Sequence, residues 1–177
     1  EELGARPFHD WNERIDDQCY RPNAELRNFE GISFDVGPTL VEWMEKADPR
    51  TLDSIIEQDH ANVRRYGVGN AMAQAYNHTI LPLASKNDKW TQIQWGIEDF
   101  KFRYLHKPKG MWLPETAVDL ETLDILAQNE IEFTILAPWQ AKAKNLDVSQ
   151  PYWVNCFDGR RIIVFFYQQN LSTRISF

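Results

Sequence analysis

The first residue that could do chemistry is Glu115, which follows a proline at the end of the apolar run in KGMWLPETAVD, residues 109–119. A buried carboxylate is costly unless it is paired, so an acid at this position needs a role. MWLPE predicts a short strand, and α/β enzymes place their active sites beyond the carboxyl ends of strands. The alternative is an acid favoured by the dipole of the following helix. Asp119 is the better N-cap for that helix, which leaves Glu115 available for chemistry.

The histidines form a second group of candidates. His9, His60, His78 and His106 could bind a metal, yet no two of them have H-x-x-x-H spacing. His60 and His106 are expected to be solvated or hydrogen-bonded. His78 differs because it lies in YNHTILPL, where a predicted strand runs into a loop that could contact a substrate.

Tryptophans are the third group, because aromatic faces pack well against the apolar faces of sugars. Trp11 lies in the polar stretch HDWNER, where no apolar stripe accounts for it, so it could stack on a sugar ring. Trp139 follows a predicted strand end and is a second candidate of this kind. Trp43, Trp90 and Trp95 are expected to be structural.

Composition limits the partners. The 177 residues are enough for one domain with one core, and the formal net charge of −7 comes from interspersed acids and bases. No basic patch suits nucleic acid, and no apolar run is long enough to span a membrane. Cys19 and Cys156 are far apart in sequence, which indicates a reducing, cytoplasmic compartment without a disulfide framework or a zinc site. No cofactor or metal is expected, and the oligomeric state stays open.

Apolar periodicity predicts the elements that must position these residues. Ile32, Phe34 and Val36 alternate as a strand, and Pro38 opens a helix after Gly37. The pattern then predicts three further helices: one over 51–66 capped by Thr51, one over 88–105, and one after Asp119. The apolar face of the second helix consists of Trp90, Ile93, Ile97, Phe100 and Tyr104, and that of the third consists of Leu120, Leu123, Leu126 and Ala127. Further strands are predicted from Asn70 towards Tyr76, over 131–138, and over 161–168, where the strand is apolar on both faces. Residues 144–159 are expected to form a loop, with Asp158 in a turn.

Strands that alternate with helices predict an α/β fold with mainly parallel strands, either a barrel or an open sheet. The pattern yields about five strands, too few to close a barrel comfortably.

Two motifs resemble a known family. GMWLPETAVD is similar to the third conserved region of the family 57 glycoside hydrolases, which include α-amylases, 4-α-glucanotransferases and α-glucan branching enzymes, and Gly110, Trp112, Leu113, Pro114 and Glu115 match its G-F-W-L-P-E pattern. YNHTILPL resembles the family's second region. The run from Pro7 to Pro22, the run from Asn70 to Pro138 and RRIIVFFYQ extend the resemblance over most of the chain, which looks like a poorly characterised, amylase-related branch.

The resemblance implies a fold and a reaction. Residues 1–177 would form one partial catalytic domain, an incomplete seven-stranded, TIM-like (β/α) barrel of the glycoside hydrolase and deacetylase type. Glu115 would be the nucleophile of a retaining hydrolase or transferase acting on an α-glucan polysaccharide or oligosaccharide. His78, Trp112, Asn77, Trp11 and His9 are assigned to substrate binding.

Two features of the family pattern are not found. The family's His-Gln-Pro region would lie upstream of Glu1, and its acid, an aspartate of a fourth region, would lie beyond Phe177. The segment alone is therefore expected to be inactive. Two alternatives stay open: a metal-dependent polysaccharide deacetylase, which needs an aspartate and two spaced histidines, and a carbohydrate-binding remnant without catalysis.

Overall fold

The computed structural model describes residues 2–176. Its seven α-helices are α1 (Trp11–Ile15), α2 (Arg21–Glu25), α3 (Pro38–Ala47), α4 (Pro49–Tyr66), α5 (Lys86–Tyr104), α6 (Leu120–Gln128) and α7 (Gln169–Ser176). The six strands in this part of the chain are β1 (Phe34–Asp35), β2 (Ala71–Gln74), β3 (Met111–Trp112), β4 (Phe133–Leu136), β5 (Tyr152–Asn155) and β6 (Arg161–Phe166). A π-helical turn, Asp16–Tyr20, joins α1 to α2.

The strands form two three-stranded sheets, one in the order β1-β2-β3 and the other in the order β4-β6-β5. All neighbours are parallel except β5 and β6. A parallel bridge between Gly110 and Phe133 joins the edge at β3 to the edge at β4. The carboxyl ends of β1, β2, β3, β4 and β6 therefore lie along one rim, where the loops that carry the candidate residues begin.

Strand register separates two faces, because successive side chains of a strand point to opposite sides. One face packs on the helices and is buried throughout; its members are Phe34, Ala71, Ala73, Met111, Thr134, Leu136, Ile162, Val164 and Phe166. The other, which we call the inner face, is more open; its members are Asp35, Met72, Gln74, Trp112, Phe133, Ile135, Ile163 and Phe165. The polar strand side chains near the rim lie on this inner face.

Most predicted helices are confirmed, with one correction at a cap. Pro38 opens α3, and α4 ends at Gly67, whose positive φ of 78° suits a residue without Cβ. Thr51 is not the cap of α4. Asp48 caps it by accepting a hydrogen bond from the backbone N–H of Thr51 at 3.3 Å, and the helix begins at Pro49.

Helix α5 has the predicted apolar stripe except at its start. Ile93, Ile97, Phe100 and Tyr104 are buried, but Trp90 is 39% exposed and is not a core residue. Lys89 takes the buried position of the first turn instead, because its ammonium bonds to Asp119 at 2.6 Å and Glu121 at 2.9 Å.

The other predicted structural tryptophans differ from each other. Trp43 packs against the core, whereas Trp95 is largely exposed and contacts Tyr76 edge-on.

Two strand predictions were wrong. Residues 144–159 contain β5, whose alternating exposure is hidden in sequence by Pro151 and by its polar neighbours. Strand β6 is not covered on both faces: Ile162, Val164 and Phe166 are buried, while Phe165 is exposed on the inner face. Asp158 does lie in a turn, with a φ of 50°.

The predicted apolar side of α6 was confirmed in part. Leu123 and Leu126 of α6 are buried, but Leu120 is exposed because it begins the helix. In β4, which confirms the predicted strand, the more deeply buried residues are Thr134 and Leu136, whereas Phe133 and Ile135 lie on the inner face.

The opposite end of the strands is held by a buried carboxylate. Asp59 of α4 is fully buried, accepts a hydrogen bond from the Ala71 N–H at 2.8 Å and pairs with His106 Nε2 at 2.7 Å. His60 contacts the Tyr104 carbonyl oxygen at 2.8 Å. The prediction that His60 and His106 are hydrogen-bonded is confirmed.

Candidate active site at the strand ends

Glu115 lies in a tight turn directly beyond β3. The turn Pro114–Thr116 contains two consecutive non-glycine residues with positive φ, 56° at Glu115 and 52° at Thr116. Such conformations are uncommon for non-glycine residues, and strained backbone of this kind clusters at functional sites. The turn keeps the Glu115 side chain 70% exposed, so the suspected cost of burying this carboxylate does not arise.

Glu115 is paired with His78. The His78 Nε2 atom lies 3.0 Å from Glu115 Oε1, and the imidazole is itself 59% exposed. His78 comes from the loop after β2, and Glu115 from the turn after β3, so neighbouring strands bring together two residues that lie 37 positions apart. An Nε2–H tautomer donates to the carboxylate and leaves Oε2 free of this bond.

Trp112 and Asn77 lie at the ends of the same two strands, β3 and β2, that carry this pair. Trp112 is the last residue of β3, is half-buried on the inner face and is in register with Gln74. Asn77 is exposed and precedes His78, and its backbone N–H donates to Gln92 Oε1 at 2.8 Å. Both residues therefore lie on the same rim as Glu115.

His9 and Trp11 lie in the N-terminal segment, and their contacts are local. The His9 ring is hydrogen-bonded to Asp10 at 3.1 Å, and the Arg14 guanidinium lies 5.1 Å from the Trp11 ring centroid. Trp11 is 51% exposed. Neither residue has a contact that joins it to the His78–Glu115 pair, and their assignment to substrate binding stays a prediction.

Asp35 and Gln74 are further candidate site residues, which the sequence patterns above did not single out. Gln74 Nε2 donates to Asp35 Oδ2 at 3.1 Å across the ends of β1 and β2. Burial raises the pKa of Asp35 to about 6, although a hydrogen bond within the residue and the charge of His78 oppose the rise. Burial, together with the charge of Asp35, raises the pKa of Tyr20 to about 12. Asp35 thus adds a largely buried carboxyl group, with a raised pKa, to the electrostatics around His78.

Signals for this pair were present in the sequence. Asp35 is the polar residue between Phe34 and Val36, and Gln74 interrupts the small apolar run AMAQAY. Gly37 lies beside the pair: a Cβ there would be 2.4 Å from Gln74 Oε1 and would displace the end of the Gln74 side chain.

Gln140 holds the turn that carries Glu115. Its Nε2 donates to the Thr116 carbonyl oxygen at 2.7 Å, and its Oε1 accepts from the Ala137 N–H at 2.8 Å. The amide thus links the turn after β4 to the turn after β3. Glutamine is common in turns, so no sequence pattern distinguishes Gln140.

Other kinds of site find no support in the described residues. Across residues 2–176, no group of three or more His, Cys, Asp or Glu side chains could hold a metal ion. None of the described helices combines the length and apolar character needed to cross a membrane.

Solved structures show where this architecture occurs. The chain is similar to a 4-alpha-glucanotransferase from Thermococcus litoralis (24% identity, TM-score 0.75, covering 94% of this chain and 26% of that one). It is also similar to an exo-type maltose-forming amylase from Pyrococcus sp. ST04 (18%, 0.78, 94% and 28%). A proposed polysaccharide deacetylase from Mycobacterium smegmatis shares the fold more loosely (16%, 0.59, 89% and 50%). No curated protein matches the sequence.

These structural similarities and the rim of parallel strands define an α/β protein, and the similar structures fit a TIM-like barrel fold. The described residues form two small sheets. The family is defined by the sequence itself. The model of glycosyl hydrolase family 57 matches residues 1–177, and the chain belongs to this family. It spans about a quarter of the length of the first two similar structures.

Proposed function

We propose that this chain supplies the nucleophile of a retaining glycoside hydrolase or glycosyltransferring enzyme that acts on α-glucans. The observation that carries the proposal is the position of Glu115 in a family 57 chain: it lies beyond the end of β3 and is hydrogen-bonded to His78 at 3.0 Å. The relatives of similar structure include a glucanotransferase and a maltose-forming amylase, which supports the choice of substrate.

In this mechanism a carboxylate oxygen of Glu115 attacks the anomeric carbon while a second carboxyl group protonates the leaving oxygen, and a covalent glycosyl-enzyme forms. Water or an acceptor sugar, deprotonated by the same second group, then displaces Glu115, so that the two displacements together retain the anomeric configuration. His78 donates to the other oxygen and thereby fixes the carboxylate's orientation. Retention requires a second carboxyl group roughly 5 to 5.5 Å from the first. We assign this acid to an aspartate of a later sequence region. We also propose that residues 1–177 are a part of a seven-stranded barrel.

Asp35 affects the same chemistry through charge. Burial raises the pKa of Asp35 to about 6, and the ionised carboxylate interacts favourably with the positive charge of a protonated His78. The pair of Asp35 and Gln74 occupies the inner face next to Trp112, where a sugar bound at Glu115 would lie. We assign these residues to the wall of the substrate site.

Labelling of the nucleophile tests the proposal most directly. The full-length protein is incubated with a slow fluorinated maltosyl fluoride, and the labelled peptide is identified by mass spectrometry. We expect the label on Glu115. A label on another carboxylate would refute the assignment.

Kinetics provide an independent test. Glu115→Gln should lower turnover of an α-glucan by at least about 10³-fold, because it removes the nucleophile. Glu132→Gln is the matched control, since Glu132 lies at the opposite end of β4 and pairs with Lys109 on the surface. Residues 1–177 alone should show no turnover; robust turnover of this segment would contradict the assignment of the acid to another region.

A further inference from the structure

Two aromatic side chains lie together on the rim and have no part in the reaction described so far. Trp139 is in the turn Pro138–Gln140 after β4, and Tyr167 follows the last residue of β6. Their ring centroids are 5.8 Å apart at an interplanar angle of 85°, an edge-to-face pair. Trp139 nevertheless remains 64% exposed, so the contact with Tyr167 leaves most of the indole open.

The backbone beneath the pair is fixed. The Tyr167 N–H donates to the Leu136 carbonyl oxygen at 3.2 Å, which continues the β4–β6 ladder up to the pair. The turn that carries Trp139 is closed by Gln140, whose backbone N–H donates to the Ala137 carbonyl oxygen at 3.0 Å. A rigid, exposed aromatic surface loses little conformational entropy when a ligand binds to it.

This surface is close to the nucleophile. Gln140, next to Trp139, donates to the carbonyl oxygen of Thr116, next to Glu115, at 2.7 Å. Neighbouring strands are roughly 5 Å apart, so the loops after β4 and β6 begin roughly 5 and 10 Å from the loop after β3. A ligand of several sugar units that reaches Glu115 can therefore also reach Trp139.

We propose that Trp139 and Tyr167 form a sugar-binding subsite that stacks on a glucosyl unit of an α-glucan whose neighbouring unit is bound at Glu115. The apolar C–H face of a pyranose packs on the open indole face, and the Tyr167 hydroxyl can hydrogen-bond a sugar hydroxyl. The inference rests on the proposed function for the identity of the sugar. The subsite favours oligosaccharides over glucose, because only a longer ligand spans both places.

Binding measurements test the subsite separately from catalysis. Affinity for maltoheptaose and for glucose is measured by calorimetry on the full-length protein, with Glu115→Gln present in every sample so that the ligand is not consumed. We expect Trp139→Ala to weaken maltoheptaose binding about tenfold or more and to leave glucose binding unchanged. Trp139→Phe, which keeps a smaller ring, should lose less affinity than Trp139→Ala.

Phe102→Ala is the matched control. Phe102 is a 73% exposed aromatic residue on α5, near the helix end far from the rim, and its removal should not change affinity. Far-ultraviolet circular dichroism checks that each variant is folded, and Trp139→Phe provides a test that keeps the edge-to-face contact if Trp139→Ala is unstable.

The outcomes separate the two proposals. Unchanged maltoheptaose affinity in Trp139→Ala, equal losses in Phe102→Ala, or absence of maltoheptaose binding in all samples overturns the subsite. If Trp139→Ala loses affinity but the protein without substitutions shows no turnover, the subsite is supported and the proposed reaction is refuted. Turnover that depends on Glu115, together with no effect of Trp139, refutes only the subsite.

Discussion

Gly96→Ala should destabilise the protein although it replaces a glycine within a helix. Alanine in place of glycine inside a helix normally stabilises by about 1 kcal/mol. At Gly96 the new Cβ would lie 1.9 Å from the backbone carbonyl oxygen of Gln74 and 3.3 Å from the Tyr76 N–H nitrogen. Helix α5 approaches the end of β2 so closely that only a hydrogen atom fits between them.

The size of the effect follows from this distance. Ordinary contact needs about 3.5 Å, so α5 or the end of β2 must move by more than about 1.5 Å. The obstacle is backbone, which cannot turn aside as a flexible side chain can. Overpacking costs typically 1–3 kcal/mol, and the upper part of that range applies here. After subtraction of the helix gain, we expect a net loss of about 2 kcal/mol in the free energy of unfolding.

Urea unfolding of residues 1–177, followed by circular dichroism, measures this loss as a lower midpoint at an unchanged slope. Gly31→Ala is the matched control, because its nearest neighbour, the Asn28 carbonyl oxygen, is 3.6 Å from the added Cβ and its φ is −104°. The control should stay within about 0.5 kcal/mol. Equal or higher stability of Gly96→Ala would refute the close approach of α5 to β2.

Three further predictions concern the two ends of the strands. A hydrogen bond to Asp59 raises the pKa of His106 above its ordinary 6.5; the stabilisation by this pair is complete below that pH and is lost as pH rises through the folded pKa. Urea unfolding between pH 5 and pH 9 should show this loss, and His106→Gln should remove it; an unchanged pH dependence would contradict the assignment. Gly69→Ala places a Cβ within 2.1 Å of the buried Asp59 carboxylate and should destabilise by about 2–3 kcal/mol, so thermal unfolding at an unchanged temperature would exclude this contact. Gln140→Leu removes the bond to the Thr116 carbonyl oxygen and should cost about 1–2 kcal/mol and speed hydrogen exchange of the Thr116 amide; unaltered exchange would show that Gln140 does not hold this turn.

Local chemistry explains which parts of the fold were predictable. Pro38 and Asp119 begin helices as expected, because a proline's fixed φ and a carboxylate cap act within one turn. The stripe of α5 was also right from Ile93 onwards, since burial repeats with the helical period. It failed at Trp90, where the buried position is set by a lysine whose acidic partners lie 30 and 32 residues away.

The candidate site was also predictable from the sequence only in part. The pattern of residues 110–115 and the segment around His78 were both recognisable, and the structure brings Glu115 and His78 within hydrogen-bonding distance. The two positive φ angles at Glu115 and Thr116 were not predictable, because neither residue favours this conformation by itself. Contacts from a later strand end hold the turn, and a local pattern does not contain them.

Asp35 and Gln74 show most clearly what one strand pattern leaves undetermined. Each strand alternates, but only the register with its neighbour decides that both side chains are on the inner face. Once they share that face, the polar residue in each strand gains a partner, and burial of the pair raises the pKa of Asp35 to about 6. A polar residue out of phase with the apolar positions of a parallel strand is therefore a candidate site residue when it lies near the strand's carboxyl end.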